Sequence, residues 1–124
     1  IDDQCDLVVL PGGIPGVPNL KTNSKVQAMV KAQNDRGGYV AAICAGPTAL
    51  GAFGVLADKN ATCYPGCEDQ LMAKRHSTEP VVVDGNVITS RGVGTAIEFA
   101  LKLVEILIDR QTADDLAEKI VYKR

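Results

Sequence analysis

One apolar run constrains this chain more than any other feature, because of how it ends. Tyr39-Val40-Ala41-Ala42-Ile43-Cys44 has the length and the small and β-branched content of a strand buried on both faces. With no spacer it becomes Ala45-Gly46-Pro47-Thr48-Ala49-Leu50, which reads as a helix opening with proline in its first turn, where a missing N–H costs little. A second run, Cys5-Asp6-Leu7-Val8-Val9-Leu10, reads as another buried parallel strand and is stopped by Pro11-Gly12-Gly13. Between them residues 14–19 read as turn. Ser24-Lys25-Val26-Gln27 has capping-box spacing, with Val26, Met29 and Val30 on one face of a helix that should stop at Gly37-Gly38.

The later chain continues the pattern. Residues 60–64 read as a third strand and residues 68–74 as a short helix. Val81-Val82-Val83 and Val87-Ile88-Thr89 flank Asp84-Gly85-Asn86, a hairpin signature. After Gly92-Val93-Gly94 comes the most regular helical period, with Ile97, Ala100, Leu101, Val104, Leu107 and Ile108 apolar, widened by Phe99, Leu103 and Ile106. A last short helix covers about residues 112–119. Strands alternating with helices, glycine turns at the strand ends and no internal repeat or linker describe one doubly wound α/β domain over residues 1–124. Its ligand site is expected beyond the carboxyl ends of the strands.

Thirteen Lys plus Arg stand against fifteen Asp plus Glu, for a net charge of -2, and they are scattered, which gives no electrostatic case for nucleic acid or an acidic membrane surface. No apolar run approaches the roughly 20 residues that span a bilayer, and Ile1-Asp2-Asp3-Gln4 carries no basic flank or signal core. With 4% aromatic residues, the core must be built from Val, Ile, Leu and Ala. Two of the four cysteines lie in strand-like runs, so reduced thiols in a cytoplasmic protein are expected rather than a disulfide framework.

Cys44 is the leading candidate for chemistry. It stands where strand turns to helix, as a nucleophile elbow does, among Ala42, Ala45 and Gly46 that would let backbone approach a substrate. Unpaired N–H groups at a helix start favour a thiolate. The competing reading is a small buried hydrophobe. Gly12-Gly13 is either an oxyanion partner or simply a tight turn. Arg91, ahead of the regular helix, either holds an anion or lies on the surface. Cys63 and Cys67 have a C-x3-C spacing, but the lone His76, which reads as solvated, completes no zinc set, so no metal is expected. Glu68 and Asp69 read as the acidic first turn of a short helix. The glycines match neither a P-loop nor GxGxxG, which argues against nucleotides.

Three strings, Val8-Val9-Leu10-Pro11-Gly12-Gly13, then Ala41-Ala42-Ile43-Cys44-Ala45-Gly46-Pro47-Thr48-Ala49-Leu50, then Thr89-Ser90-Arg91-Gly92-Val93-Gly94-Thr95, resemble the ThiJ/PfpI superfamily, in its Parkinsonism-associated deglycase branch. The resemblance implies a flavodoxin-like, mostly parallel three-layer sandwich that forms homodimers. It implies Cys44 as the oxidisable nucleophile, backbone N–H groups of Gly12, Gly13 and Ala45 around it, and Tyr64 and Arg91 in the surrounding shell. The implied activity is cofactor-free: a glyoxalase III-like lyase converting methylglyoxal or glyoxal to the hydroxy acid, or a hydrolytic protein deglycase acting on glycated adducts.

The resemblance also implies that the family's opening strands and helices, with the glutamate set against the cysteine, lie outside this stretch, so a companion N-terminal polypeptide is expected. Two further readings accompany the first. One is an oxidative-stress sensor or redox chaperone in which Cys44 becomes a sulfinate. The other, a cysteine peptidase, is disfavoured, because Tyr64 and Ala45 occupy the places where family members carry histidine.

Overall fold

The fold is laid around β2 (Tyr39–Ile43), whose side chains divide strictly between two helical layers. The computed structural model describes residues 5–123, and the opening Ile1-Asp2-Asp3-Gln4, read above for its missing basic flank, lies outside them. On one face of β2, Val40 and Ala42 meet Val17 of α1 (Gly16–Lys21), Val30 of α2 (Ser24–Asp35) and Leu50 of α3 (Pro47–Ala52). On the other, Ala41 joins Ile88 of the neighbouring strand and Phe99 of α4 (Ala96–Leu107), with Tyr39 and Ile43 packed against them. This period of two makes a three-layer α/β sandwich. The core is aliphatic as composition required, with a single phenylalanine in each cluster, Phe53 on one face and Phe99 on the other.

Among the described residues the main sheet has the order β1-β2-β6-β5. β1 (Leu7–Leu10) and β6 (Val87–Ser90) run parallel to β2 on either side, and β5 (Val81–Asp84) is antiparallel to β6. Leu10 lies opposite Ala42, and Ile43 opposite Ser90, so the three parallel strands end at one level. The loops that follow them therefore meet at a single edge of the sheet. The hairpin turns at Gly85-Asn86 with Gly85 at φ +60°, α2 ends ahead of Gly37 at φ +76°, and α5 (Arg110–Lys119) closes the chain where a last helix was expected.

Several local expectations are corrected. Residues 14–19 are not simply a turn, since α1 begins at Gly16. The N-cap of α2 is Asn23, whose side chain accepts from the N–H groups of Lys25 and Val26; asparagine caps as well as serine, and Ser24 becomes the first helical residue. β1 starts at Leu7 rather than Cys5 and is an edge strand among the described residues, with Val9 41% exposed. Residues 60–64 supply only β3 (Asn60–Ala61), paired in parallel with β4 (Arg75–His76) apart from the main sheet. Residues 68–74 hold one 3-10 turn, Glu68–Gln70.

The wide apolar stripe of the regular helix is covered from two directions. Phe99, Leu103 and Ile106 meet the sheet, α5 packs beside it, and Ile97 and Ile108 remain 45% and 65% exposed. Hydrophobic period located the helix; contact with β2 and β6 chose its orientation.

Gly51 shows how closely the layers approach. A Cβ there would lie 1.9 Å from the carbonyl oxygen of Leu71. Gly51→Ala should therefore cost about 1–3 kcal/mol, as overpacking against backbone does. The check is a lower urea midpoint at an unchanged slope; an unchanged midpoint would mean that Leu71 yields freely.

Candidate functional site

Cys44 links β2 to α3 with φ +64°, the left-handed region that L-residues other than asparagine and aspartate seldom enter. Such a backbone costs about 1–2 kcal/mol and persists only where its surroundings over-determine it. Here both peptide groups of the residue are engaged. The Cys44 N–H donates to the carbonyl of Ser90 at 3.1 Å, and its carbonyl accepts from the Tyr64 N–H at 2.8 Å. The Gly46 N–H closes the turn on the Ile43 carbonyl at 2.9 Å. This is the strained strand-to-helix elbow on which nucleophiles are presented.

Two glycines make room for it. A Cβ on Gly12 would stand 2.6 Å from the Cβ of Cys44, and one on Gly46 would stand 2.6 Å from the Leu10 carbonyl oxygen. The end of β1 is thereby pressed against the elbow, with the Gly12 backbone beside the Ala45 amide. Gly13 follows at φ +100°, and its carbonyl accepts from Val17 at the start of α1. Cys44 and Ala45 are partly exposed and Gly13 is exposed.

The neighbouring loops hold the elbow from the other side. The buried Ser90 hydroxyl donates to the Pro80 carbonyl and shares a 2.7 Å hydrogen bond with Thr95. Thr95 Oγ1 also accepts from the N–H groups of Arg91 and Gly92. The Thr62 N–H donates to Thr89 Oγ1 at 3.0 Å, which lays residues 62–64 alongside β6. Arg91 Nε donates to the Cys63 carbonyl at 3.2 Å, so the Cys63–Tyr64 peptide is clamped between Arg91 and Cys44. Tyr64 itself is half exposed, with its ring against Gly92.

Glu68 stands 4.0 Å from the Arg91 guanidinium and accepts from the Gly66 N–H at 2.9 Å. Its own backbone N–H and that of Gly66, with His76 and Arg91 nearby, hold the carboxyl below the usual carboxylate range. Cys63 is fully buried, and burial first, then the adjacent Cys67 and Glu68, pushes its thiol up to about 11. Cys67, partly exposed, packs against the same apolar cluster.

Cys44, Gly12, Ala45 and Tyr64 lie together, and Gly13 borders them. Arg91 is separated from α4 by a 3-10 turn, Val93–Thr95, and its guanidinium faces the Cys63 carbonyl and Glu68. Glu68 and Asp69 do open a short helix, the 3-10 turn Glu68–Gln70, and Glu68 also faces Arg91. His76 is exposed on β4, as read. The Ser90–Thr95 pair was missed; only its place beside a glycine-bearing loop at a strand end set it apart from any other serine and threonine. Among the described residues, no three of His, Cys, Asp and Glu are disposed to hold a metal ion.

Comparison with known proteins shows what the chain is similar to. The DJ-1/PfpI family profile matches residues 1–106. The chain is 46% identical over 121 residues to a Parkinson disease protein 7 homolog of Danio rerio, covering 95% of this chain and 64% of the relative. It is 38% identical over 117 residues to a glutathione-independent glyoxalase of Caenorhabditis elegans, covering 93% and 62%. The crystal structure of Drosophila melanogaster DJ-1beta superposes with a TM-score of 0.92 at 41% identity, covering 98% of this chain and 67% of that one. The chain thus spans just under two thirds of the length of these curated relatives.

The packing of Gly12 on the elbow leads to a direct test. Gly12→Ala must displace Cys44 or the end of β1, at a cost of about 1–3 kcal/mol in stability. Alkylation of Cys44 by iodoacetamide should change rate at the same time, while Cys5, on the far side of the sheet, keeps its own; an unchanged Cys44 rate would mean that the glycine does not shape the site.

Proposed function

The chain belongs to the DJ-1/PfpI family, and on that premise we propose that it is a cysteine-dependent, cofactor-free glyoxalase acting on methylglyoxal or glyoxal, with Cys44 as nucleophile. The observation that carries the reading is the left-handed backbone of Cys44, fixed by β6 and by the loop at Tyr64 and bordered by glycine. A relative at 38% identity is named a glutathione-independent glyoxalase, which supports an aldehyde substrate that needs no thiol cofactor.

The Cys44 thiolate adds to the aldehyde carbon and forms a hemithioacetal. In this reading the amides of Gly12, Gly13 and Ala45 stabilise the developing oxyanion. The hydrogen on that carbon leaves as a proton and is returned to the neighbouring carbonyl carbon, which converts the adduct to a thioester of the hydroxy acid. Water cleaves the thioester, releasing lactate from methylglyoxal and restoring the thiol. The carboxylate that moves the proton is assigned, by the resemblance, to the companion segment, and the working protein to a homodimer. Deglycation of protein adducts would use the same thiolate on the same carbon.

The peptidase reading draws less support, since the chain's one histidine, His76, is on the exposed strand β4. Cys44→Ala should abolish lactate formation from methylglyoxal in the complete protein, a loss of at least the roughly hundredfold that covalent or acid–base groups contribute. Lactate formation that survives this substitution would refute the assignment.

A further inference from the structure

Three of the four cysteines converge on the elbow. The Tyr64 N–H is bonded to the carbonyl of Cys44, and the Cys67 N–H is bonded to the carbonyl of Tyr64 at 3.0 Å. These two hydrogen bonds in series bring the Cys63–Cys67 segment against the reactive position. Cys5, by contrast, is exposed beside Gln33.

The two cysteines of the segment differ in freedom. Cys63 is locked: its carbonyl is held by Arg91, the following N–H by Cys44, the preceding residue by Thr89, and its side chain lies wholly in the apolar core. Cys67 follows three exposed residues, Tyr64-Pro65-Gly66, with Gly66 at φ +97° as the pivot of the turn, and its side chain is partly open to solvent. Cys67, and more weakly Cys44, lie near enough to Cys63 to push its thiol up. A thiol held up at about 11 offers almost no thiolate near neutral pH, so Cys63 is a poor attacking group.

We propose that Cys67 is the resolving thiol for Cys44, so that oxidation by a hydroperoxide ends in a reversible Cys44–Cys67 disulfide instead of a sulfinate. This rests on Cys44 being the reactive thiol. The Cys44 thiolate attacks a peroxide oxygen, the O–O bond breaks, and the alkoxide or hydroxide leaves with a proton from solvent; Cys44 becomes a sulfenic acid. The Cys67 sulfur then attacks the Cys44 sulfur, the S–O bond breaks, and hydroxide departs as water. The two thiols supply the two electrons that reduce the hydroperoxide, and an external thiol reverses the link. Formation of the disulfide removes the nucleophile proposed for aldehyde turnover, so oxidant would switch the site off without destroying it.

The test is peptide mapping of the purified protein after mild hydrogen peroxide and alkylation of the remaining thiols. Trypsin places Cys44 in residues 37–59 and both Cys63 and Cys67 in residues 60–74. We expect a dithiothreitol-sensitive link between these peptides that persists in Cys63→Ala and is lost in Cys67→Ser and Cys67→Ala. In the last two, Cys44 should instead gain two oxygens. A wild-type sulfinate at Cys44 with Cys67 still alkylatable would overturn the proposal, as would a link that survives loss of Cys67 or one confined to residues 60–74. No oxidation of Cys44 at all would defeat the reactive-thiol reading as well, which separates the two failures.

Discussion

The backbone of Cys44 is bent into a left-handed conformation, and much of the site exists in a form that keeps it there. An L-residue at φ +64° relaxes unless neighbours hold it. β6 takes its N–H through Ser90, and the segment beside β6 takes its carbonyl through Tyr64. Each of those holders is itself secured: Ser90 by Pro80 and Thr95, Tyr64 through the peptide that Arg91 grips. Together these contacts offset a conformational cost of about 1–2 kcal/mol at one residue. The result is a thiol lifted out of the strand at the edge where three loops meet.

The sheet explains why the loops meet there. Three parallel strands in register finish at Leu10, Ile43 and Ser90, so the residues after them are neighbours in space although successive strand ends are 33 and 47 residues apart in sequence. Glycine at positions 12 and 46 allows the first two connections to touch, since a methyl group at either would meet another atom at 2.6 Å. Substrate chemistry and redox chemistry would then share one thiol, with the aldehyde reaching it from solvent and Cys67 from the adjoining turn.

Much of this was legible in the residues. The elbow at Cys44, the stop at Gly12-Gly13, the hairpin at Gly85 and the end of α2 at Gly37 all follow from local chemistry, because glycine and proline announce backbone geometry wherever they stand. What the sequence left open depends on tertiary contact. The orientation of α4 was decided by Phe99, Leu103 and Ile106 against the sheet, and a periodic stripe cannot say which side another layer will cover. Arg91 could be placed near the site but not aimed, because its partners Cys63 and Glu68 lie 28 and 23 residues away. Ser90 and Thr95 carry no mark of their role until β6 stands beside β2. The position proposed as reactive was visible, and its supports were not.

If the strained elbow is what activates Cys44, its effect should appear in one comparison of rates. The measurement is iodoacetamide alkylation of Cys44 at neutral pH, followed by mass spectrometry in the native protein and in the urea-unfolded chain. A folded elbow that exposes and polarises the thiol predicts a native rate about tenfold or more above the unfolded rate, which corresponds to about 1.4 kcal/mol. A native rate equal to or below the unfolded one would show Cys44 to be an ordinary packed cysteine and would contradict the central claim.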